Sequence, residues 1–178
     1  MLAEEVETSE RTLRRAANRG TIRVVRKSPR WTLVPSDEYE YVRRRWPLVR
    51  ALLRELRTLP AVRLAVLFGS VARGTESPES DLDILVRLRS DGVDERAHVA
   101  ERLEAAAGRS VQIVQLGDAE SAPSLLLAVL QDGRVLVDRD GDWPKLKRRE
   151  SRIGCDARRS DRQIERDVGA ALAELGVQ

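Results

Sequence analysis

Residues 64–86 read LAVLFGSVARGTESPESDLDILV. The stretch opens on an apolar run, Leu64 to Phe68, followed at once by Gly69 and Ser70. Ten residues, Val71 to Ser80, separate Ser70 from Asp81, and Asp83 lies two residues further on. An apolar run of this length ended by glycine predicts a buried strand. Val71-Ala72-Arg73 can begin a helix directly after it. Gly69 lacks a Cβ, so its backbone can approach a ligand closely. Backbone N–H groups at that turn, with the Ser70 hydroxyl, form a natural phosphate cradle. In a strand, residues i and i+2 share a face, so Asp81 and Asp83 point the same way. Leu82, Ile84 and Val86 then continue the core. Two adjacent carboxylates repel unless a cation lies between them. Mg²⁺ suits that place, because it takes one or two carboxylates together with substrate phosphates.

The string resembles the signature of nucleotidyltransferases of the DNA polymerase β superfamily: Gly-Ser, ten residues, Asp-x-Asp. The detail Gly69-Ser70-x-Ala72-Arg73-Gly74, and the short chain, are most similar to the minimal nucleotidyltransferases, small proteins often paired with HEPN-domain toxins. The similarity spans about residues 61–140. It implies an α/β fold, a polymerase-β-type nucleotidyltransferase domain with a small mixed sheet and helices. It also implies roles. Asp81 and Asp83 hold Mg²⁺ (or Mn²⁺) and are the catalytic acids. Gly69 and Ser70 cradle the nucleotide phosphates, and Arg73 pairs with phosphate. The substrate is ATP or another nucleoside triphosphate. The implied reaction is transfer of a nucleoside monophosphate, AMP from ATP, to a protein hydroxyl. In the paired systems the acceptor is a tyrosine of the HEPN toxin, so the transferase acts as antitoxin. Active members carry a third acid on a later strand. Here that position falls on Gln112, with Gln115 where a further acid often lies. An amide oxygen coordinates weakly and cannot take a proton. Asp118, Glu120 and Asp138 are the acids that could substitute. The alternative expectation is therefore a weak or inactive transferase that binds nucleotide and DNA as a regulator.

Composition agrees with an ordinary globular chain. Of its 178 residues 42% are hydrophobic and 34% charged, and aromatics are only 3%, which excludes base stacking as a main mode of binding. No apolar run approaches a membrane span, and no leader precedes the first polar residues. Cys155 is a lone cysteine, which excludes a disulfide framework. His98 is the one histidine and is expected on an exposed helix face. A cytoplasmic, reducing setting is expected.

The charge is uneven. Residues 1–57 hold 14 Lys/Arg against 8 Asp/Glu, and residues 58–178 hold 18 against 21. A surplus of this kind at one end suggests an acidic partner there. Thr8 or Ser9 is a good N-cap for a helix over Glu10–Arg19, and Gly20 ends it. Two alternating runs flank Ser28-Pro29 and predict a β-hairpin over residues 22–34. Together they resemble a winged helix-turn-helix module over residues 1–36, with Glu10–Arg19 as recognition helix. Arg11, Arg14, Arg15 and Arg19 on the helix, and Arg26, Lys27 and Arg30 on the wing, are the expected DNA contacts.

The rest is read in order. A helix begins at Ser36-Asp37, and Pro47 is expected to start a second one whose stripe is Leu48, Val49, Leu52, Leu53 and Leu56. These connecting helices occupy residues 37–60, and the nucleotidyltransferase domain residues 61–140. Within it, a helix over residues 94–107 places Val99, Leu103 and Ala106 inward. A strand over 110–116, a helix over 124–131, a turn at Asp132-Gly133 and a strand over 135–137 follow. Residues 141–178 form a charged helical tail, amphipathic from Asp161 to Leu175 with Ile164 and Val168 on one face.

Overall fold

A computed structural model gives the fold. It describes residues 2–28, 31–90 and 92–174, with side chains described outside 26–32 and up to 168. The apolar runs around the Asp-x-Asp motif become the two central strands of a mixed sheet. Strands β3 (Val62–Phe68) and β4 (Leu82–Leu88) pair antiparallel, β6 (Arg134–Asp138) pairs antiparallel with β3, and β5 (Val111–Gln115) pairs parallel with β4. The order is β5-β4-β3-β6. The two faces of the sheet are covered separately. Leu82, Ile84, Val86 and Leu88 join one cluster with the long helix α3 (Ser36–Thr58) and α5 (Val93–Ala107). Leu64, Val66, Phe68 and Leu85 join another with α7 (Pro123–Asp132) and α9 (Glu150–Glu174). A short helix that the periodicity does not reveal, α6 (Leu116–Glu120), and α8 (Asp142–Arg148), at the start of the expected helical tail, close the second face.

The N-terminal elements follow the capping signals. In α2 (Glu10–Arg19) the Ser9 hydroxyl accepts the Thr12 N–H at 3.2 Å, and Gly20 ends the helix at φ 91°. A four-residue helix, α1 (Leu2–Glu5), precedes it. The hairpin β1 (Val25–Ser28) and β2 (Trp31–Leu33) follows it, with a register shift between Arg26 and Ser28. This segment does not stand apart from the sheet. Val6, Ala16 and Ile22 lie in the same cluster as Leu56 and Leu82. The Val135 N–H donates to the Gly20 carbonyl at 3.2 Å, and the Thr21 hydroxyl donates to the Val135 carbonyl at 2.5 Å. Residues 19–23 thus cover the outer edge of β6, an edge that would otherwise offer unpaired backbone groups.

One helix differs from expectation. Pro47 does not open a new helix but lies inside α3, which runs unbroken for 23 residues. Proline removes one backbone hydrogen bond and normally kinks a helix. The buried stripe Tyr41, Val42, Trp46, Val49, Leu52, Leu53 and Leu56 runs across it. Burying that stripe outweighs the loss, while Pro47 itself faces solvent. The tail likewise begins earlier than its amphipathic pattern, at Glu150, because Ile153 and Ala157 are buried against the body. The stripe residues Ile164 and Val168 are exposed. His98 lies exposed on α5, and Cys155 is a free, exposed thiol.

Leu52 has no exposed surface and ties α3 to the sheet. Leu52→Ala is expected to lower unfolding stability by roughly 2–5 kcal/mol. Urea denaturation of the full chain measures it, and a loss under about 1 kcal/mol would contradict this packing.

Candidate functional site

The site forms where β3 ends and β4 begins. Phe68 is the register partner of Asp83, so the Gly69 turn leaves the sheet beside that carboxylate. Gly69 sits at φ 73° and starts α4 (Gly69–Arg73), which Gly74 ends at φ 79°. A Cβ at Gly69 would overlap Asp83 Oδ2 and lie 3.2 Å from its Cγ. Both the left-handed backbone and the close approach therefore demand glycine. Asp81, exposed, immediately precedes β4, and Asp83 is half-buried within it. Burial raises the Asp83 carboxyl above the usual carboxylate range, and repulsion from Asp81 adds to this. Arg73 opposes it. The two carboxylates are thus near enough to feel each other, and the positive charge beside them only partly offsets that repulsion.

Arg73 lies at the end of α4 with an exposed side chain, 2.5 Å from the Asp132 carboxylate at the end of α7. The loop between the two motifs is tied at both flanks. Glu76 pairs with Arg45 of α3 at 2.5 Å, and Arg109 donates to the Pro78 carbonyl at 2.9 Å and the Ser77 carbonyl at 3.3 Å. Glu76, Ser77 and Pro78 hold the shape of this loop.

The parallel pairing places Gln112 opposite Asp83. Register partners share a face, so the neutral amide stands beside the Asp83 carboxylate. Gln115 pairs with Val86 and lies on the other face. None of the substitute acids reaches this place. Asp138 pairs with Leu64, four residues or about 13 Å along β3 from the Phe68 end. It accepts the N–H groups of Asp142 and Trp143 at 2.9 and 3.1 Å. Glu120 pairs with Arg149 at 3.1 Å. Asp118 is exposed on α6, beyond the far end of β5. Among the described residues no three His, Cys, Asp or Glu side chains cluster to hold a metal. The donor set is two carboxylates and an amide oxygen. It is all oxygen, and it fits Mg²⁺ or Mn²⁺ that brings phosphate oxygens of its own.

The expected DNA contacts separate. Arg11, Arg14 and Arg15 are exposed on α2. Arg19 turns inward instead: its guanidinium donates to the Leu136 carbonyl at 2.9 Å, and burial, with repulsion from Arg57, lowers its pKa. Only Gly20 follows it in the helix cap, so it sits where α2 meets β6. The Arg26 and Lys27 side chains, and Arg30, lie outside the described residues. Sequence reading also missed Glu38 and Arg134, a buried ion pair at 2.5 Å whose guanidinium donates to the Ala72 carbonyl at 2.6 Å. An arginine leading directly into the apolar run Val135 to Val137 was the available signal.

Comparison with known proteins agrees with this geometry. The family model described as polymerase beta nucleotidyltransferase matches residues 51–142, just over half of the chain. The chain belongs to this family. A chain of a toxin–antitoxin complex crystallised with AMP-PNP is 25% identical, with a TM-score of 0.56 over 67% of this chain and 97% of that one. A chain of a second toxin–antitoxin complex, MntA-HpeT with a tyrosine-to-alanine change, is 26% identical, with a TM-score of 0.54 over 67% and 95%. A chain of the complex of tri-AMPylated Shewanella oneidensis HEPN toxin with MNT antitoxin shares the fold at 23% identity, with a TM-score of 0.52 over 68% and 95%. No curated protein matches the sequence. Among the described residues no helix is long and apolar enough to cross a membrane.

Two outcomes follow from this geometry. Gly69→Ala is expected to cost about 1–2 kcal/mol from the backbone alone, with further loss from the contact with Asp83; thermal unfolding reads it. For Asp83, the folded state holds the carboxyl above its unfolded value. Its contribution to stability is therefore full in acid and is lost as pH rises through the raised value. Asp83→Asn should raise the melting temperature of chelator-treated protein at neutral pH and narrow its difference from wild type in acid. A lower melting temperature at neutral pH would contradict the repulsion described.

Proposed function

We propose that this chain transfers a nucleoside monophosphate, AMP from ATP, to a protein hydroxyl, with a HEPN-type toxin as acceptor and partner. The observation that carries the reading is the Asp81–Asp83 pair held against the Gly69-Ser70 turn in a nucleotidyltransferase fold. The AMP-PNP of one similar toxin–antitoxin complex supports a triphosphate substrate, and the tri-AMPylated toxin of another, similar in fold, supports the acceptor class.

The roles follow from position. Asp81 and Asp83 would hold Mg²⁺ or Mn²⁺. That ion, when bound, neutralises phosphate charge and polarises the phosphoryl group under attack. The Gly69 backbone and the Ser70 hydroxyl bind the outer phosphates. Arg73, held at the end of α4 by its pairing with Asp132, offers them a positive charge. Gln112 can orient an acceptor hydroxyl by hydrogen bonding but cannot remove its proton.

That last point supports a second reading. With a neutral side chain in register with Asp83, the chain binds nucleotide but transfers slowly or not at all, and serves as a nucleotide-responsive regulator. The exposed Arg11, Arg14 and Arg15 are then the proposed contacts to DNA phosphates. With residues 1–36 as a DNA-contact module, 37–60 as connection, 61–140 as transferase and 141–178 as tail, the same chain serves either reading.

The test is incorporation from α-labelled ATP, with Mg²⁺ or Mn²⁺, into host lysate and into the product of the adjacent gene. Label on a protein that disappears in the Asp81→Ala/Asp83→Ala variant is the expected result. Gln112→Asp should raise the rate by roughly 10²-fold if only the proton acceptor is missing. No label above the double variant with any of the four nucleotides would overturn the transferase reading and favour the regulator.

A further inference from the structure

Three polar or charged residues are buried as whole residues among those described: Thr21, Glu38 and Arg134. They meet at one point, between the N-terminal segment, α3, β6 and α4. Arg134 donates from Nη1 to Glu38 Oε1 at 2.5 Å and from Nη2 to Glu38 Oε2 at 2.9 Å. Its Nε donates to the Ala72 carbonyl at 2.6 Å, and Nη1 also reaches the Thr21 carbonyl at 3.3 Å. The guanidinium carbon lies 3.3 Å from the centre of the Tyr41 ring, so an aromatic face covers it. A second path runs alongside. The Arg23 N–H donates to Glu38 Oε1 at 3.0 Å, and its side chain donates to the Asp132 carbonyl. The Asp132 carboxylate in turn holds Arg73.

Both paths end on α4. We infer that Glu38 and Arg134 are positioning residues for the nucleotide site, through which the N-terminal segment fixes the turn that carries Gly69, Ser70 and Arg73. The inference rests on the nucleotide reading given above. α4 is five residues long and bounded by glycines at φ 73° and 79°; Val71 and Ala72 seat it in the core, and its carbonyl end is set by hydrogen bonds from outside the helix. Its Ser70 and Val71 carbonyls are used by the turn at Gly74 and Thr75, and the Ala72 carbonyl by Arg134. A cation at that end also suits the partial negative charge of a helix C-terminus.

Stability alone does not account for the pair. A buried ion pair is often no more stabilising than apolar side chains of the same volume. What the pair adds is direction: four hydrogen bonds that fix the Ala72 carbonyl relative to β6 and α3. A phosphate-binding turn displaced by a fraction of an ångström binds its ligand less well.

The experiment measures MgATP affinity by calorimetry on the full chain, well below the melting temperature. Glu38→Leu/Arg134→Met replaces the pair with apolar side chains and removes the bond to Ala72. It should fold with a lower melting temperature, because the Ala72 and Thr21 carbonyls and the Arg23 N–H lose their partners, and bind MgATP roughly tenfold more weakly, the loss of about one good hydrogen bond's worth of positioning. Leu103→Ala, a core change on α5, should lower the melting temperature and leave MgATP affinity unchanged. Should the double variant fail to fold, Arg134→Lys takes its place, because an ammonium has three donors on one atom and cannot make the four bonds that the guanidinium makes from three nitrogens; the same weakening is expected. A folded variant that binds MgATP as wild type does would overturn the positioning role while leaving the nucleotide reading intact. Wild-type protein that does not bind MgATP would overturn both.

Discussion

The close approach of the Gly69 backbone to the Asp83 carboxylate is the constraint on which the site depends. It follows from the β3–β4 register, which sets Phe68 opposite Asp83 and leaves no room for a side chain at the next residue. The same register buries Leu82, Ile84 and Val86 on one face and leaves Asp83 facing the turn. A one-residue slip would send the carboxylate into the core and Ile84 into the site. The hydrophobic pattern of β4 therefore fixes the chemistry as well as the packing. The site carries electrostatic strain as a result: Asp83 is partly buried next to Asp81, with Arg73 as counter-charge.

The sheet is closed by an element outside the family's matched span. Residues 19–23 cover the edge of β6, and Arg19 and Thr21 hydrogen-bond to its backbone. An edge protected in this way is less open to pairing with other chains. It also joins the basic N-terminal segment to the body through buried polar contacts rather than through a flexible linker.

Much of this was legible in the sequence. Gly69-Ser70, the ten-residue gap and Asp81-x-Asp83 specified the strand–turn–strand unit and the likeness to nucleotidyltransferases, and that likeness, laid on the strand over 110–116, pointed to the neutral Gln112. The helix signals were local and strong, with Ser9 capping α2 and Gly20 and Gly108 in the left-handed region at helix ends. What could not be read were the long-range choices. Pro47 stays helical because burial of residues on both sides outweighs a local rule. Arg19 looked like one more exposed cation of a basic helix, and only the fold shows that it meets Leu136, distant in sequence. Glu38 and Arg134 lie 96 residues apart and match no motif, so nothing short of the fold pairs them.

On the proposed reading Asp81 and Asp83 hold one metal–nucleotide complex, and Gln112, a weakly coordinating amide where active relatives are expected to carry an acid, leaves the second ion of a two-metal site loosely held. Electron paramagnetic resonance of Mn²⁺, titrated into the protein with a non-hydrolysable ATP analogue, tests this most directly. The account predicts one tightly held Mn²⁺ per chain, lost in Asp81→Asn/Asp83→Asn, and a second tight ion only in Gln112→Asp. Tight Mn²⁺ binding that survives the loss of both aspartates, or two tight ions in the unaltered chain, would contradict it.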